Sequence, residues 1–172
     1  MRRVYTTALL LLLLVSLASG AATYLHGEPD LEATVSGIAE FSPGSDAEIT
    51  VAIQNSGINE IKVLSAHSPD GGELPNTARM VTAALEAGDA PVTVRTDPQM
   101  VGEIAGGQTV TVPFSVRIAS DAPGGTYPLL LELSYTYLHD TELADAGTAI
   151  YHYRTGNSTL AVPVRIRAEV VP

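Results

Sequence analysis

The sequence predicts an all-β chain built from two packed sheets, and two observations support this. Apolar and polar side chains alternate with a period of two in several short segments, most clearly in residues 109–118. Clusters of turn-forming residues, such as Ser42–Asp46 and Asp121–Gly125, separate these segments. Short strands with frequent turns favour a sandwich of about 7–9 strands over a fold that alternates strands and helices.

A leader precedes the predicted sheets. Arg2 and Arg3 form a basic start, six leucines (Leu9–Leu14) form an apolar centre, and small residues follow at 18–22. This order is typical of a secretory signal peptide. Residues 4–25 also carry no formal charge, and about 20 apolar residues span a bilayer, so an uncleaved anchor helix is the alternative.

This leader sets the expected domain organisation and location. Residues 1–22 form the signal peptide or uncleaved N-terminal membrane anchor, residues 23–29 form a short linker, and residues 30–172 form the sandwich. Both alternatives place the sandwich outside the cytoplasm, either secreted or anchored to the cell envelope. Membrane contact is expected only through residues 4–25, and only if they are not cleaved.

The strands differ in how clearly they alternate. Pro113 has no N–H to donate, so segment 109–118 is expected to lie at a sheet edge or to bulge there. Residues 77–87 have a helix-like composition, but the alternation of Val81, Ala83 and Leu85 favours a strand. The clear strand segments are 49–53, 109–118, 127–137 and 160–166, and the weaker ones are 31–35, 61–64, 79–85, 92–96 and 148–153.

The composition excludes several classes of protein. The chain has 172 residues, with 9 basic and 19 acidic side chains and a formal net charge of −10. Such a surface repels nucleic acid and anionic lipid. There is no cysteine, which excludes disulfide frameworks and cysteine-based zinc sites. A sandwich of this length buries enough apolar surface to fold without such cross-links.

Two stretches, 30–57 and 106–137, carry a resemblance to a known family. Their turn motifs are Phe41-Ser42-Pro43-Gly44, Asn55-Ser56-Gly57 and Ala122-Pro123-Gly124-Gly125-Thr126-Tyr127. They resemble archaeal S-layer-like, cell-adhesion-related (CARDB-type) modules and the immunoglobulin-like modules found beside carbohydrate-binding domains. The resemblance covers roughly residues 29–172. It implies an immunoglobulin-like sandwich with a structural or interaction role in the envelope.

Tyr127 is the predicted structural tyrosine of this fold. It follows a Pro-Gly-Gly turn at the start of a late core strand. A tyrosine in this place buries its ring and donates its hydroxyl to nearby backbone, as in the tyrosine corner of immunoglobulin-like sandwiches. The alternative is an ordinary half-buried tyrosine.

Metal binding has two candidate sets, and we favour neither. His139 and His152 are expected to approach each other across a hairpin, but none of the histidines has a recognised ligand spacing. Asp140, Glu142 and Asp145 crowd one predicted loop, and carboxylates are ligands for calcium. Their spacing differs from that of the known calcium loop, so a solvated acidic turn is the favoured interpretation. We therefore expect no metal and no cofactor.

No motif for catalysis is present. The chain has no G-x-S-x-G nucleophile motif, and its Gly-Gly pairs follow turn chemistry rather than forming a phosphate-binding loop. The chain is therefore predicted not to be an enzyme. Asn157-Ser158-Thr159 is an N-glycosylation sequon in a predicted turn, and a chance match is the alternative.

The leading functional prediction is a non-catalytic secreted or envelope-anchored module with a structural or interaction role at the cell surface. Its partners would be other envelope proteins or membrane complexes, and not nucleic acid. Unpaired sheet edges, such as the one near Pro163, would make the contacts.

Two other functions stay open. One is a ligand-binding domain for envelope glycan, or an accessory domain to an envelope transporter or enzyme. Glycan binding would need exposed aromatic side chains on one face, for which Tyr135, Tyr137, Tyr151 and Tyr153 are the candidates. The other is a hydrolase, which would need a cleft where carboxylates converge.

Overall fold

The computed structural model describes residues 24–62, 73–144 and 148–168. Within these ranges every regular element is a β-strand and none is a helix, so the all-β prediction is confirmed. None of the described residues forms a helix long and apolar enough to cross a membrane. The strands are β1 (Tyr24–Gly27), β2 (Leu31–Ser36), β3 (Glu40–Phe41), β4 (Asp46–Asn55), β5 (Asn59–Lys62), β6 (Ala78–Glu86), β7 (Val92–Val94), β8 (Gln99–Ile104), β9 (Thr109–Ile118), β10 (Gly125–Ala144) and β11 (Thr148–Ile166).

The strands form two sheets. The first has the order β3-β11-β10-β1-β5, with β6 also paired to β10 and β8 paired to β6. The second has the order β2-β4-β9-β7. Pairings between the described strands are antiparallel, except that β3 runs parallel to the end of β11. The first sheet is forked, because β10 pairs with β6 over residues 130–136 and with β1 at residues 140–141.

The core lies between the two sheets and is built by alternate side chains. On β9 the even-numbered residues from Val112 to Ile118 are buried, and the odd-numbered residues from Thr109 to Ser115 are exposed. On β6, Val81, Ala83 and Leu85 are buried, so the strand predicted in place of a helix is confirmed. Large side chains that are fully buried include Phe114, Ile49, Ile53, Ile118, Leu129, Leu131, Leu133 and Ile166.

Pro113 lies where its missing N–H has least effect. β9 runs between β4 and β7, but β7 reaches along it only as far as the pair Val94–Val116. At Pro113 the paired neighbour is Thr50 of β4. On the open side the Gln99 side chain donates a hydrogen bond to the Pro113 carbonyl, at 2.6 Å.

The last two strands are longer than the sequence predicted. Segment 127–137 is part of β10, which has 20 residues, and segments 148–153 and 160–166 belong to one strand, β11, with 19 residues. The predicted turn at Asn157 was therefore wrong, because pairing with β10 satisfies the backbone of this polar stretch.

Three strands were not predicted, and the described residues hold 11 strands instead of 7–9. β1 lies within segment 23–29, which was expected to be a linker. β3 has two residues and β8 contains Gly102, so neither shows a period-two pattern long enough to detect in the sequence.

A buried asparagine joins the two sheets at one end. Asn55 is fully buried at the end of β4. Its side-chain oxygen accepts hydrogen bonds from the N–H groups of Asp30 (3.1 Å) and Gly57 (3.0 Å). Its side-chain nitrogen donates to the carbonyls of Asn76 (2.7 Å) and Ile104 (2.8 Å). One amide therefore satisfies four groups, which lie before β2, after β4, before β6 and at the end of β8.

Two glycines allow the backbones to meet around this amide. A Cβ at Gly57 would lie 2.4 Å from the Glu28 carbonyl oxygen, and one at Gly106 would lie 1.9 Å from the Asn76 side-chain nitrogen. That nitrogen donates to the Gly57 carbonyl at 2.8 Å. Gly57, in the motif that the sequence indicated as a turn, is therefore required for a close backbone approach.

We predict that Asn55→Ala lowers the free energy of unfolding by about 2–4 kcal/mol, because it leaves buried backbone groups without partners. Urea denaturation followed by far-UV circular dichroism measures this. Gln54→Ala, at an exposed neighbour on β4, is the matched control and should change stability by less than about 1 kcal/mol. Equal losses in the two variants would contradict a special role for Asn55.

Candidate binding surface on the hairpin extension

Beyond the pairing with β6, the β10–β11 hairpin continues as a smaller sheet. We call this part the hairpin extension; it comprises residues 138–144 and 148–153, together with β1 and β5. β6 reaches as far as the pair Thr136–Arg79, and β1 then pairs with β10 through Leu25–Thr141 and His26–Asp140. The change of partner coincides with a bulge between Leu138 and Asp140.

Three histidines lie near Asp140 in the hairpin extension, and two of them approach its carboxylate. Asp140 lies directly opposite His26 on β1 and His152 on β11. Its oxygens lie 3.7 Å from Nε2 of His139 and 3.9 Å from Nε2 of His152. The rings of His26 and His139 pack edge to face, with centroids 5.3 Å apart. The predicted approach of His139 and His152 is thus an approach of both side chains to Asp140.

The described residues contain no group of three or more histidine, aspartate or glutamate side chains arranged to hold a metal ion. The prediction that Asp140 and Glu142 lie in a loop was wrong, because both residues lie in β10. Pairing with β11 as far as Ala144–Thr148 extends the strand through these positions. Asp145 lies outside the described residues.

A cavity of about 550 Å³ opens beside this sheet. It is lined by residues of β1, β5 and the two loops at 28–30 and 56–58. Its lining includes the carboxylates of Glu28, Asp30 and Glu60, and the Asp30 carboxylate accepts a hydrogen bond from the Ser56 hydroxyl at 3.1 Å. Ile58, which is 73% exposed, adds an apolar side chain to it. The cavity therefore has the charge to attract a cationic group.

An ion-pair cluster fastens the hairpin extension to the body of the first sheet. The Tyr153 hydroxyl donates to the Glu73 carboxylate, which also pairs with Arg79 of β6. Arg79 in turn lies 3.3 Å from the Glu103 carboxylate of β8. Hydrogen bonds from Tyr153 and Arg79 lower the pKa of Glu73, and the bond to Glu73 raises the pKa of Tyr153. The cluster links β11, β6 and β8.

We predict that the Glu73 cluster stabilises the fold above pH 4.5, the ordinary pKa of this carboxyl, and that this contribution is lost as the pH falls through its lower folded-state pKa. Glu73→Gln should therefore be less stable than the wild-type chain at pH 6, with a smaller difference at pH 3. Because Glu73 is 37% exposed, solvent limits the effect to about 1 kcal/mol or less.

Urea denaturation at both pH values measures this difference. Glu86→Gln, at an exposed carboxylate of β6, is the control. A stability difference for Glu73→Gln that is the same at pH 6 and pH 3 would contradict the prediction.

The tyrosines lie on different faces of the first sheet. Tyr135 and Tyr137 are buried on the core side, whereas Tyr151 and Tyr153 are about half exposed. Tyr137 lies opposite Arg154 and Leu138 lies opposite Tyr153, so neighbouring positions place the two tyrosine pairs on opposite faces. The single exposed aromatic face that glycan binding would need is therefore not formed by these four residues.

Tyr127 lies at the start of β10, next to the turn that the sequence indicated. Its hydroxyl donates to the Pro123 carbonyl, four residues upstream, at 2.9 Å, and its ring packs partly buried against the core. A Cβ at Gly125 would lie 3.4 Å from this ring, which is an ordinary van der Waals contact.

We predict that Tyr127→Phe lowers the free energy of unfolding by about 0.5–1.5 kcal/mol through loss of this hydrogen bond. Tyr151→Phe, at a half-exposed tyrosine on β11, should stay within about 0.5 kcal/mol of the wild-type chain. Thermal or urea denaturation of both variants measures these changes in stability. An unchanged midpoint for Tyr127→Phe would support the interpretation of an ordinary half-buried tyrosine.

The outer edge of β11 is unpaired over most of its length among the described strands, both in the hairpin extension and beyond it. β11 pairs with β10 along one edge, and among the described strands only β3 pairs with its other edge, at Arg165 and Ile166. The six consecutive side chains of residues 150–155 are all exposed. Asn157, the sequon residue, is also exposed and lies in the middle of this strand. We call residues 149–161 of β11 the free edge.

No family model matches the chain, and no curated protein sequence matches it. The resemblance to S-layer-like and CARDB-type modules therefore stays a prediction. The features that bear on function are the free edge, the acidic cavity and the histidines around Asp140.

Proposed function

We propose that this chain is a non-catalytic, secreted or envelope-anchored sandwich module of the immunoglobulin-like type, with a structural or interaction role at the cell surface. The free edge of β11 is the observation that carries this proposal. It presents a row of backbone N–H and C=O groups that no described strand satisfies. Such an edge is a template for pairing with another chain.

The surroundings of the free edge support binding by backbone pairing. The edge lies on the first sheet, and its exposed side chains leave the backbone open to an approaching strand. The hydrogen bond from Tyr153 to Glu73 and the ion pair to Arg79 hold the strand in place before any partner arrives. A strand that is ordered in advance loses less conformational entropy on binding, which favours affinity.

The leader supports a location outside the cytoplasm. Residues 1–22 have the basic start, leucine centre and small-residue exit of an export signal. The partners at the free edge would then be other envelope proteins or membrane complexes, as in S-layer-like and CARDB-type modules.

The acidic cavity favours a second candidate, a ligand-binding or accessory domain of an envelope transporter or enzyme. Its carboxylates suit a cationic group better than a neutral sugar. Among the side chains that the structure describes, His26 is the one aromatic-ring residue in the lining, and none of them is a tyrosine on which a sugar ring would stack. The glycan-binding form of this candidate therefore has the weaker support.

Photo-cross-linking in intact cells tests the proposal. The chain has a single lysine, Lys62, so lysine-directed reagents would find almost no site. A photoreactive phenylalanine analogue is instead placed at Tyr151 on the free edge, at Glu60 in the cavity, or at Thr111 on the exposed face of β9 as the control. Cell fractionation of the same cultures reports the location of the chain.

We expect the chain outside the cytoplasm, with position 151 forming cross-links to an envelope protein or a second copy, and position 111 forming few. Cross-links from position 60 alone would favour the second candidate. A chain that stays in the cytoplasm, or one that forms no cross-links above control at position 151, would overturn the proposed function.

A further inference from the structure

The direction of the backbone groups along β11 follows from two hydrogen bonds at its end. The N–H of Arg165 donates to the Ala39 carbonyl at 2.7 Å, and the N–H of Arg167 donates to the Phe41 carbonyl at 2.9 Å. Odd-numbered residues therefore direct their backbone groups away from β10. Because this direction alternates along a strand, the odd-numbered residues from Ala149 to Ala161 also direct N–H and C=O outward.

Pro163 fits this alternation and limits the free edge. It is odd-numbered, so its nitrogen lies on the outward side, where it donates nothing. It faces Pro128 across the hairpin, and a pair of prolines requires no N–H donation within the ladder. The run of outward N–H groups therefore ends at Ala161.

The charge along the free edge is unlike that of the rest of the chain. The whole chain has 19 acidic residues and a net charge of −10, but residues 148–164 contain neither aspartate nor glutamate. Arg154 and His152 are the basic side chains of this segment. Two copies of an acidic chain repel each other over most of their surfaces. Because residues 148–164 carry no carboxylate of their own, the free edges of two copies would meet with less of this repulsion, which favours a second copy as the partner.

We infer that the free edge pairs with the free edge of a second copy, antiparallel about a two-fold axis at Thr155, and joins the first sheets of both copies into one sheet. This inference rests on the proposed function and names the partner. A two-fold contact uses both edges and therefore closes as a dimer instead of growing into a fibre.

The register follows from matching the outward groups. With Thr155 opposite its own copy, Ala149 faces Ala161, and every outward residue of 149–161 meets another outward residue. The Tyr151–Thr159 pair sets an aromatic side chain against a β-branched one, a favourable cross-strand combination. Arg154 then faces Gly156, whereas an axis at Arg154 would place two guanidinium groups opposite each other.

Disulfide trapping tests both the pairing and its register, because the chain has no cysteine of its own. In this register the Cα atoms of two Thr155 residues lie about 5.5 Å apart, within the range that a disulfide spans. Full chain carrying Thr155→Cys, made with its own leader in a host without N-glycosylation, should form a disulfide-linked dimer under mild oxidation. Thr111→Cys, on the exposed face of β9, is the control and should stay largely monomeric.

The register has its own control. Ala149→Cys alone should not cross-link, because the two copies of residue 149 would lie about 40 Å apart at 3.4 Å per residue. Ala149→Cys combined with Ala161→Cys should cross-link, since these positions face each other. Cross-linking of Ala149→Cys alone to the level of Thr155→Cys would overturn the register.

A proline variant separates pairing from folding. The N–H of Thr155 points away from β10, so Thr155→Pro removes both hydrogen bonds of the symmetric Thr155 pair and leaves the hairpin ladder intact. Light scattering should show a dimer for the wild-type chain and for Thr155→Val, with dissociation of the dimer at least about tenfold more favourable for Thr155→Pro. Circular dichroism should show the same fold for all three.

A Thr155→Cys chain that cross-links no more than Thr111→Cys, or a folded Thr155→Pro chain that stays fully dimeric, would overturn the inference. The two proposals fail in distinguishable ways. Cross-links in cells from Tyr151 to a different envelope protein, without a Thr155→Cys dimer, would leave the proposed function standing and reject self-pairing. Retention in the cytoplasm would reject the proposed function, whatever the oligomeric state.

Discussion

The pairing of β10 with β11 is the interaction on which the rest of the structure depends. It runs from Gly125–Ile166 at one end to Ala144–Thr148 at the other, with one bulge near His139. At the first end it supplies the core side chains of the first sheet. At the other end it carries the hairpin extension and sets the histidines around Asp140. The same ladder uses one edge of β11, and residues 149–161 of its other edge have no partner among the described strands, so the longest strand pairing and the candidate binding edge share one strand.

Apolar burial stabilises the core between the two sheets, whereas hydrogen bonds stabilise the junction at Asn55. Between the sheets, apolar side chains such as Phe114 and Leu131 are removed from water, and this burial drives folding without disulfides. At the end near Asn55, several chain segments meet with their backbone groups buried, and apolar packing does not satisfy them. The side-chain amide of Asn55 does so with four hydrogen bonds, and glycines at 57 and 106 allow the close approach.

The hairpin extension adds little to the main core cluster, and both apolar and polar contacts hold it. Leu25, Leu138 and Thr141 are buried there, but they lie outside the main core cluster. The Tyr153–Glu73–Arg79 contacts fasten it to β6. A surface that is ordered but contributes little to the core is free to change for binding without loss of the fold. This division between core and extension is consistent with a module that acts by surface contact.

The sequence alone determined the all-β class and the strands β4, β6 and β9, because alternation of apolar side chains is a local property that burial on one face imposes. It also placed Tyr127 beside the turn whose carbonyl it contacts. Only the tertiary structure decided that residues 148–166 form one strand, since the polar stretch around Asn157 becomes a strand through its hydrogen bonds to β10. The histidines around Asp140, the Asn55 junction and the free edge likewise depend on which strands are neighbours. That choice is made by contacts between residues far apart in the chain, which no local pattern contains.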